Sequence, residues 1–493
     1  MFLNRKIVVV VAKRYMSETN ATIFALSSAY GKCGVSVIRV SGPQTKEALR
    51  AIVGKKYDFQ ARVAYLRALY RPETTEMIDK GLVLWFPGPS SYTGEDSCEF
   101  QVHGSLAVIA ALLENLGKLP GLRHAVPGEF TRRAFINNKL DLTEVDGLAD
   151  LIHAETEAQR KQALMQSSGS LSRLYGNWRK VLIRCAAHLE AYIDFAEDEN
   201  IEDDVITNLT KDLKLVREQI SDHVNDQRRG EMLRDGVRTV IAGAPNVGKS
   251  SFLNLVCQRE VSIVTDIAGT TRDIIESTHN FGGYPVRFTD TAGLRLTTQD
   301  QVELEGIKRA KNCIQQADVV ILLLDAWELN KYQVHSKQML DDYLKEHYQE
   351  LDLRESMLSA PRRVQYVANK IDLLNAEELQ IMKKIPDLIC ISCKGDGEFK
   401  EFLNAFENLL KELCGIPLAE APRLSHVRYR QLLEQCVHHV NLFLSDYSPE
   451  IYKDMAISAQ KLRQAIRCIE TITGHVSTDN ILDVVFKDFC IGK

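Results

Sequence analysis

No apolar stretch of this 493-residue sequence is long enough to span a bilayer, and a run such as Ile7 to Ala12 is far too short. Positive charge is not in excess either, because the net charge is -5 at pH 7. A nucleic-acid partner would therefore have to contact local basic patches. The eleven cysteines contain one close pair, Cys390 and Cys393, without the second pair that a zinc site needs. Scattered thiols of this kind are typical of a reducing compartment.

The start of the sequence lacks acidic side chains, since none occurs before Glu18. Basic residues do occur there, at Arg5, Lys6, Lys13 and Arg14. A basic, acid-free stretch predicts an organellar transit leader over residues 1–20. The alternative is an ordinary frayed N-terminus.

Internal repeats and low-complexity tracts are also missing, and the length suits about three domains of ~150 residues each. Short strands such as Val35–Arg39 predict an α+β domain over residues 21–140. Helical spacing of apolar residues predicts helices over residues 141–232 and 416–493. Alternating strands and helices predict a doubly wound sheet over residues 233–415. We therefore predict a multidomain α/β and α+β protein, with the sheet domain inserted between two segments of one helical domain.

The most specific motif follows a predicted strand, Val237–Ile241, and reads Gly243-Ala-Pro-Asn-Val-Gly-Lys-Ser250. This is the G-x-x-x-x-G-K-S pattern of a phosphate-binding loop, and we expect a helix to begin at Ser251. Backbone N–H groups and the helix N-terminus attract phosphate oxygens in such loops. Lys249 is predicted to reach the terminal phosphates, and the hydroxyl of Ser250 to bind Mg²⁺.

Two switch motifs of a Ras-like P-loop GTPase follow this loop. Thr265–Thr271 is a switch candidate in which Thr271 can bind Mg²⁺ and the γ-phosphate. In Asp290–Gly293 the aspartate can hold Mg²⁺ through water, and the N–H of Gly293 can contact the γ-phosphate. The predicted Mg²⁺ residues are Ser250, Thr271 and Asp290.

Two base-binding motifs complete the site. In Asn369–Asp372, which ends a predicted strand, Asp372 is placed to accept two N–H donors of guanine that adenine cannot match. Ser392–Lys394 is predicted to form the loop under the base, so Cys393 belongs to that loop and not to a redox pair. The predicted GTP-binding residues are Asn246, Val247, Gly248, Lys249, Ser250, Ser251, Thr265, Asp266, Ile267, Ala268, Gly269, Thr270, Thr271, Asp290, Thr291, Ala292, Gly293, Asn369, Lys370, Asp372, Ser392, Cys393 and Lys394.

A glutamine is missing directly after Asp290–Gly293, where Ras-like enzymes use it to orient the attacking water. Leu294 occupies that position and has no polar group. The side-chain oxygen of Asn246 could instead coordinate a monovalent cation where an arginine finger would otherwise lie. Alternatively, Asn246 merely tolerates a tight turn.

Motifs outside the nucleotide site carry a family resemblance. They are Gly34–Gly42, Ser91–Asp96, Pro127–Phe135, Asn138–Leu142 and the terminal Phe486–Lys493, whose apolar side chains predict a docked segment. Together with the inserted GTPase domain, they closely resemble the MnmE (TrmE) family of tRNA-modification GTPases. The resemblance extends from about Thr22 to Lys493.

The resemblance implies an enzyme that works with an FAD-containing MnmG (GidA) partner on tRNA. The pair would install an aminomethyl-type group, carboxymethylaminomethyl or taurinomethyl, at C5 of wobble uridine 34. The one-carbon donor would be 5-formyltetrahydrofolate or methylenetetrahydrofolate, bound by a folate-binding-like N-terminal domain that also mediates homodimerisation. By motif position, the implied folate residues are Arg39, Glu99, Lys139 and Lys493.

The resemblance also implies K⁺-stimulated GTP hydrolysis through dimerisation of the GTPase domains. The implied K⁺ residues are Asn246, Thr265, Ile267 and Thr270. Glu303 resembles the family glutamate that positions water indirectly, which would compensate for Leu294. The predicted catalytic residues are Glu303, Lys249, Thr271, Gly293 and Cys490, a thiol whose nucleophilic or structural role stays open.

One departure from the family pattern concerns Gly31-Lys-Cys-Gly34, where bacterial members usually have Gly-Arg-Gly-Gly. The preceding Thr22–Ser28 is similar to the mitochondrial branch, which favours a mitochondrial location over a cytoplasmic one. A ribosome-assembly GTPase of the Era or Der kind would share the phosphate loop, but the sequence has no Gly-x-x-Gly loop in a KH-like setting, and a split helical domain does not fit that class. A non-enzymatic folate sensor is disfavoured because the catalytic motifs are intact.

Overall fold

The computed structural model describes residues 21–54, 57–72, 74, 76–195, 204–259, 278–290, 313–347, 363–395, 399–415, 422–448, 451–452, 455–476, 482, 485–486, 489 and 492. The chain divides into two compact units, Met1–Ala149 with Glu470–Lys493, and Asp150–Ile469. The predicted leader lies outside the described residues. None of the helices in the described part of the chain has both the length and the apolarity needed to cross a membrane.

The first unit contains a six-stranded sheet in the order β3-β4-β5-β2-β1-β6, antiparallel except for the β1 and β6 pair. Its strands are β1 (Thr22–Leu26), β2 (Cys33–Ser41), β3 (Tyr65–Tyr70), β4 (Met77–Phe86), β5 (Ser97–Gly104) and β6 (Leu122–His124). Its helices are α1 (Thr45–Val53), α2 (Leu106–Gly117), α3 (Glu129–Ile136) and α4 (Leu142–His153), which extends into the second unit.

Alternation along the central strands determines which side chains form the core. Ile38 in β2 and Phe100 in β5 are fully buried in a cluster that also contains residues of α1 and α2. Because side chains alternate between faces with a period of two, Arg39 and Glu99 lie on the opposite face. The register of β2 and β5 places Arg39 directly opposite Glu99.

The C-terminal segment packs inside the first unit, against α3 and the end of β1, as its apolar composition predicted. Phe486 and Phe489 are buried, and the ring of Phe486 lies 6.3 Å from the ring of Phe135 in α3. The hydroxyl of Ser27 donates a hydrogen bond of 2.9 Å to the carbonyl of Gly492. The segment therefore reaches the end of β1.

The second unit contains helices and a second six-stranded sheet. Its helices are α5 (Glu157–Ser167), α6 (Ser170–Phe195), α7 (Asp204–Val224), α8 (Arg229–Asp235), α9 (Lys249–Arg259), α10 (Ala326–Lys331), α11 (Lys337–His347), α12 (Ala376–Met382), α13 (Phe399–Cys414), α14 (Val427–Asp446) and α15 (Met455–Thr473). Its strands are β7 (Val237–Gly243), β8 (Thr278–Phe281), β9 (Tyr284–Asp290), β10 (Val319–Asp325), β11 (Arg363–Asn369) and β12 (Leu388–Cys390), with the short pair β13 (Tyr447–Ser448) and β14 (Ile451–Tyr452).

The second sheet has the order β12-β11-β10-β7-β9-β8 and is parallel apart from the antiparallel β8. Its central strand β10 is apolar along almost its whole length because both faces are covered. Ile321 and Leu323 belong to one hydrophobic cluster, and Val320 and Leu322 belong to another. Two cores on opposite faces of a parallel sheet make this a doubly wound α/β domain.

The predicted strand Val237–Ile241 lies within β7. The strands predicted before Asp290 and before Asn369, Val286–Thr289 and Val364–Ala368, lie within β9 and β11. The helix after the phosphate loop begins at Lys249, two residues before the predicted Ser251. The reason is that the N–H of Phe252 already donates to the carbonyl of Gly248 at 2.9 Å, which is a helical hydrogen bond.

Candidate functional site

The parallel strands bring the distant motifs to one edge of the second sheet. In the register, Gly243 at the end of β7 lies beside Leu323 of β10, and Asp325 lies beside Asn369 of β11. On the other side of β7, Ile241 lies beside Asp290 of β9. The carboxyl ends of parallel strands meet at such an edge, which is where ligands bind in open α/β sheets.

The backbone of the phosphate loop is left-handed at two positions. Asn246 has φ 62° and Gly248 has φ 103°, both in the left-handed region. The ammonium group of Lys249 donates to the carbonyls of Gly243 at 2.9 Å and Ala244 at 2.8 Å. Lys249 is thereby held across the loop, with Ser250 next to it at the start of α9.

Asn369 links the phosphate loop to the predicted base loop. Its amide nitrogen donates to the carbonyl of Val247 at 2.8 Å, and this bond is buried. Its amide oxygen accepts from the backbone N–H of Cys393 at 3.2 Å. A Cβ at Gly248 would overlap the amide nitrogen of Asn369. Position 248 therefore requires glycine for two reasons, this close contact and the left-handed φ.

Asp372 is oriented by the loop that was predicted to lie under the base. The hydroxyl of Ser392 donates to one of its carboxylate oxygens at 2.8 Å, and the ammonium of Lys394 lies 3.1 Å from the other. The hydrogen bond from Ser392 lowers the pKa of Asp372 below its ordinary value, and Lys394 adds to this. The carboxylate is therefore ionised at neutral pH and accepts hydrogen bonds on both oxygens.

Asp325 is a member of the site that the motif search missed. One of its carboxylate oxygens lies 2.7 Å from the ammonium of Lys370, and the other accepts from the N–H of Trp327 at 3.0 Å. It caps α10 and fixes Lys370, whose φ of 68° is left-handed. The available sequence signal was weak: Asp325 directly follows the apolar run Val319–Leu324.

The two close cysteines have no reactive thiolate. Burial raises the pKa of Cys390 to about 11, and it raises the pKa of Cys393 to about 11 as well. Both thiols are consequently neutral at pH 7. The backbone N–H of Cys393 contacts Asn369, which agrees with a base-loop role for this residue.

Several predicted site residues lie outside the described residues. These are Thr265, Asp266, Ile267, Ala268, Gly269, Thr270, Thr271, Thr291, Ala292, Gly293, Glu303, Cys490 and Lys493. Of the predicted Mg²⁺ residues, Ser250 at the start of α9 and the backbone of Asp290 at the end of β9 are described. Ser251 is exposed in the first turn of α9. In the part of the chain that the structure describes, no group of three or more His, Cys, Asp or Glu side chains could hold a metal.

Arg39 and Glu99 of the first unit form an ion pair with each other. Two nitrogens of Arg39 lie 2.8 and 3.0 Å from one carboxylate oxygen of Glu99. The guanidinium also lies 5.2 Å from the ring centre of Tyr92 and 5.8 Å from that of Phe130. Lys139 is further along the chain, where its N–H donates to the carbonyl of Ala134 at 2.8 Å in the turn after α3.

A buried charge network lies near this pair and was missed by the sequence analysis. Arg133 of α3 bonds to Glu95 at 3.0 Å and to Glu129 at 2.9 Å, and Glu129 bonds to Arg123 at 2.6 Å. Burial alone would raise the pKa of Glu129, but hydrogen bonds from Arg123, Val126 and Arg133 outweigh it and lower the pKa. The network fixes the start of α3, whose residues up to Phe135 lie in the Pro127–Phe135 motif.

Comparison with known proteins gives two family matches that together cover almost the whole chain. A family described as the MnmE helical domain matches residues 142–490, and one described as the GTP-binding protein TrmE N-terminus matches residues 22–139. The mitochondrial 5-taurinomethyluridine-tRNA synthase subunit GTPB3 of Danio rerio is 46% identical over 479 residues, covering 96% of this chain and 93% of that protein. The tRNA modification GTPase MnmE of Rickettsia rickettsii is 42% identical over 472 residues, covering 96% of this chain and 100% of that protein.

Proposed function

Because the chain belongs to the MnmE (TrmE) family of tRNA-modification GTPases, we propose that it hydrolyses GTP while modifying C5 of wobble uridine 34 of tRNA. The observation that supports this most directly is that the phosphate loop and the base loop lie at one edge of the second sheet. Asn369 bonds to both loops there, and the ionised carboxylate of Asp372 can accept hydrogen bonds.

The residues at this edge suit a guanine nucleotide. The phosphate loop would bind the phosphates through its N–H groups, and Lys249 would exchange its two carbonyl contacts for phosphate oxygens. The two oxygens of Asp372 would accept the two N–H donors on the guanine edge, a pattern that adenine cannot match. Asp325 would keep Lys370 extended beside the base.

Mg²⁺ fits the donor set at the phosphate loop, where it would neutralise charge on the phosphates. A serine hydroxyl at the start of a helix and an aspartate at a strand end are hard oxygen ligands of the kind Mg²⁺ takes together with phosphate. Ser250, Asp290 and Thr271 would supply them. Glu303 would position the attacking water, because Leu294 has no group to do so.

K⁺ is the cation that we assign to Asn246. This residue is exposed at the tip of the phosphate loop, in a left-handed conformation that turns the backbone sharply there. Its side-chain oxygen would share the ion with Thr265, Ile267 and Thr270. A monovalent cation at this point would neutralise developing charge, as an arginine does in other GTPases.

We predict that GTP turnover is at least about ten-fold faster in K⁺ than in Na⁺ at equal ionic strength, since a missing transition-state charge costs more than 1.4 kcal/mol. The measurement is phosphate release in the two chloride salts. Replacing Asn246 by Ala should abolish the difference, whereas replacing the exposed Asn225 at the end of α7 by Ala should preserve it. Equal turnover of the unmodified protein in the two salts would remove the assignment of Asn246.

A tetrahydrofolate one-carbon donor is proposed for the first unit. The Arg39 and Glu99 pair combines a cation that suits folate carboxylates with a carboxylate that can accept pterin N–H groups. Lys139 and Lys493 would complete the donor set, and Cys490 in the terminal segment is a candidate functional thiol. We propose further that the protein acts as a homodimer with an MnmG-type flavoprotein, in the mitochondrion.

The test of this function is mass spectrometry of wobble uridines in organellar tRNA after the protein is removed. We expect loss of the C5 modification and its return when the unmodified chain is restored. A chain with Lys249 replaced by Ala should fail to restore it. Unchanged wobble uridines after removal would contradict the proposal and favour a ribosome-assembly GTPase.

A further inference from the structure

Among the described residues, helix α5 contacts α8, which leads into the sheet domain, and Ser425, which follows it in the chain. Gln159, Gln162 and Gln166 recur at a helical spacing that places them on one side of the helix. The amide nitrogen of Gln159 donates to the carbonyl of Arg234 at 3.0 Å, and that of Gln162 donates to the carbonyl of Gly230 at 3.0 Å. These two bonds hold α8, which leads directly into β7.

The third glutamine holds the chain where it leaves the sheet domain. The hydroxyl of Ser425, just before α14, donates to the amide oxygen of Gln166 at 2.7 Å, and this bond is buried. Ser425 itself is fully buried. Helix α5 therefore binds both the incoming and the outgoing connection of the sheet domain.

A fourth contact reaches the hairpin of β8 and β9. The N–H of Ala158 donates to the carbonyl of Gly283 at 3.1 Å, at the tip of the hairpin. The side chain of Ala158 is 7% exposed and belongs to the same hydrophobic cluster as Phe281 and Tyr284. The donor is a backbone group of the first helical turn, which has no partner within its own helix.

This hairpin lies between the two switch motifs in the sequence. Thr271 precedes β8, and Gly293 follows β9. A γ-phosphate that attracts both residues therefore acts on both ends of the same hairpin. A contact at the tip resists any shift of the hairpin that such attraction produces.

We propose that Ala158 is a positioning residue for the GTPase reaction: its N–H holds the hairpin on α5 and sets the relative affinity for GTP and GDP. The inference rests on the proposed nucleotide site. Without the bond to Gly283, less free energy is needed to shift the hairpin when the γ-phosphate attracts the switch residues. The dissociation constant for a non-hydrolysable GTP analogue then falls relative to that for GDP.

The helix start provides a matched pair of variants. Thr156 caps the helix and Gln159 completes a capping box, so Glu157 and Ala158 are the first two helical residues. Proline is tolerated in a first turn because the N–H it removes has no partner within the helix. Ala158→Pro removes the donor to Gly283, whereas Glu157→Pro leaves it in place.

The experiment measures dissociation constants for GDP and for a non-hydrolysable GTP analogue by titration calorimetry on the full chain. We expect the ratio of analogue to GDP constants to fall about five-fold in Ala158→Pro, the effect of one hydrogen bond of ~1 kcal/mol. Glu157→Pro should stay within about two-fold of the unmodified protein. A purely structural role would lower thermal stability and leave the ratio unchanged, and that result would overturn the inference.

A second measurement avoids substitutions altogether. Amide hydrogen exchange at Ala158 should be at least about five-fold faster in the analogue complex than in the GDP complex, because the bond to Gly283 weakens. The amide of Leu182 in the middle of α6 serves as the internal control and should exchange equally in both. Equal exchange at Ala158 would overturn the inference, whereas failure of the unmodified chain to bind either nucleotide would overturn the proposed function with it.

Discussion

Replacing Asp372 by Asn is expected to weaken GDP binding by at least about 100-fold and to make xanthine nucleotides the preferred ligands. The carboxylate accepts on both oxygens, and hydrogen bonds to a charged group contribute ~1.5–3 kcal/mol each. Asparagine presents one donor and one acceptor in the same place. The amide NH₂ of asparagine would face one of the two guanine N–H donors and could not bond to it. Xanthine has a carbonyl in place of that donor, and the NH₂ can donate to it.

The measurement is calorimetric titration of GDP and of xanthosine diphosphate. The same chemical change at Asp387 is the control, because this residue is exposed in the same domain and forms a surface ion pair with Lys337 at 3.1 Å. Asp387→Asn should leave both affinities within about two-fold. Unchanged GDP affinity in Asp372→Asn, or a uniform loss without any gain for xanthine, would show that Asp372 does not read the base.

Replacing Arg430 by Met is expected to destabilise the second unit by about 3–5 kcal/mol, the usual cost of removing one partner of a buried ion pair. Arg430 of α14 lies 2.7 Å from Asp226 and 2.8 Å from Glu231, whose side chain is only 2% exposed. Without Arg430, Glu231 keeps Arg228 as a partner, but Asp226 loses its contact with α14. The variant therefore leaves Asp226 and Glu231 with fewer positively charged partners in a buried environment.

The control is Arg463→Met in α15. Arg463 pairs with Glu190 at 2.7 Å, but both side chains are about half exposed, so the loss should be below ~1 kcal/mol. Urea unfolding followed by circular dichroism would measure both changes. Similar shifts of the two midpoints would show that burial of the Arg430 cluster contributes nothing beyond an ordinary surface pair.

The Arg430 effect should also depend on pH. Burial alone would raise the pKa of Glu231, but hydrogen bonds from Arg228 and Arg430 outweigh it and lower the pKa below its ordinary value. The stabilisation is therefore complete above the pKa of an unfolded glutamate, about 4.3, and is lost as the pH falls through the lower folded value. The difference between Arg430→Met and the unmodified protein should shrink over the same range.

The strands that carry the nucleotide motifs could be predicted from the sequence because their signals are local. A phosphate loop needs glycines, a lysine and a hydroxyl within eight positions, directly between a strand and a helix. The strands β7, β9 and β11 contain the predicted stretches for the same reason, since each is a short apolar run bounded by turn residues. The family resemblance likewise rests on contiguous motifs, such as Pro127–Phe135.

Contacts between distant residues could not be predicted in this way. Asp325 is one aspartate among many until β10 lies beside β11 and brings its carboxylate to Lys370. The buried cluster around Arg430 joins residues about 200 positions apart, and nothing in their local sequence distinguishes them from surface charges. Gln159, Gln162 and Gln166 have the composition of a solvated helix face, yet all three bond to other elements.

By itself, the sequence determined the family, the order of the nucleotide motifs and the absence of Ras-type glutamine at Leu294, because each depends on residues that are adjacent in the chain. The tertiary structure alone decided that Arg39 faces Glu99 across two strands and that the terminal segment reaches β1. It also decided that the N–H of Ala158 in α5 bonds to the hairpin of β8 and β9. These contacts join residues far apart in sequence, and a backbone N–H such as that of Ala158 has no residue-type signature. Only the packing of the elements gives such a group its partner.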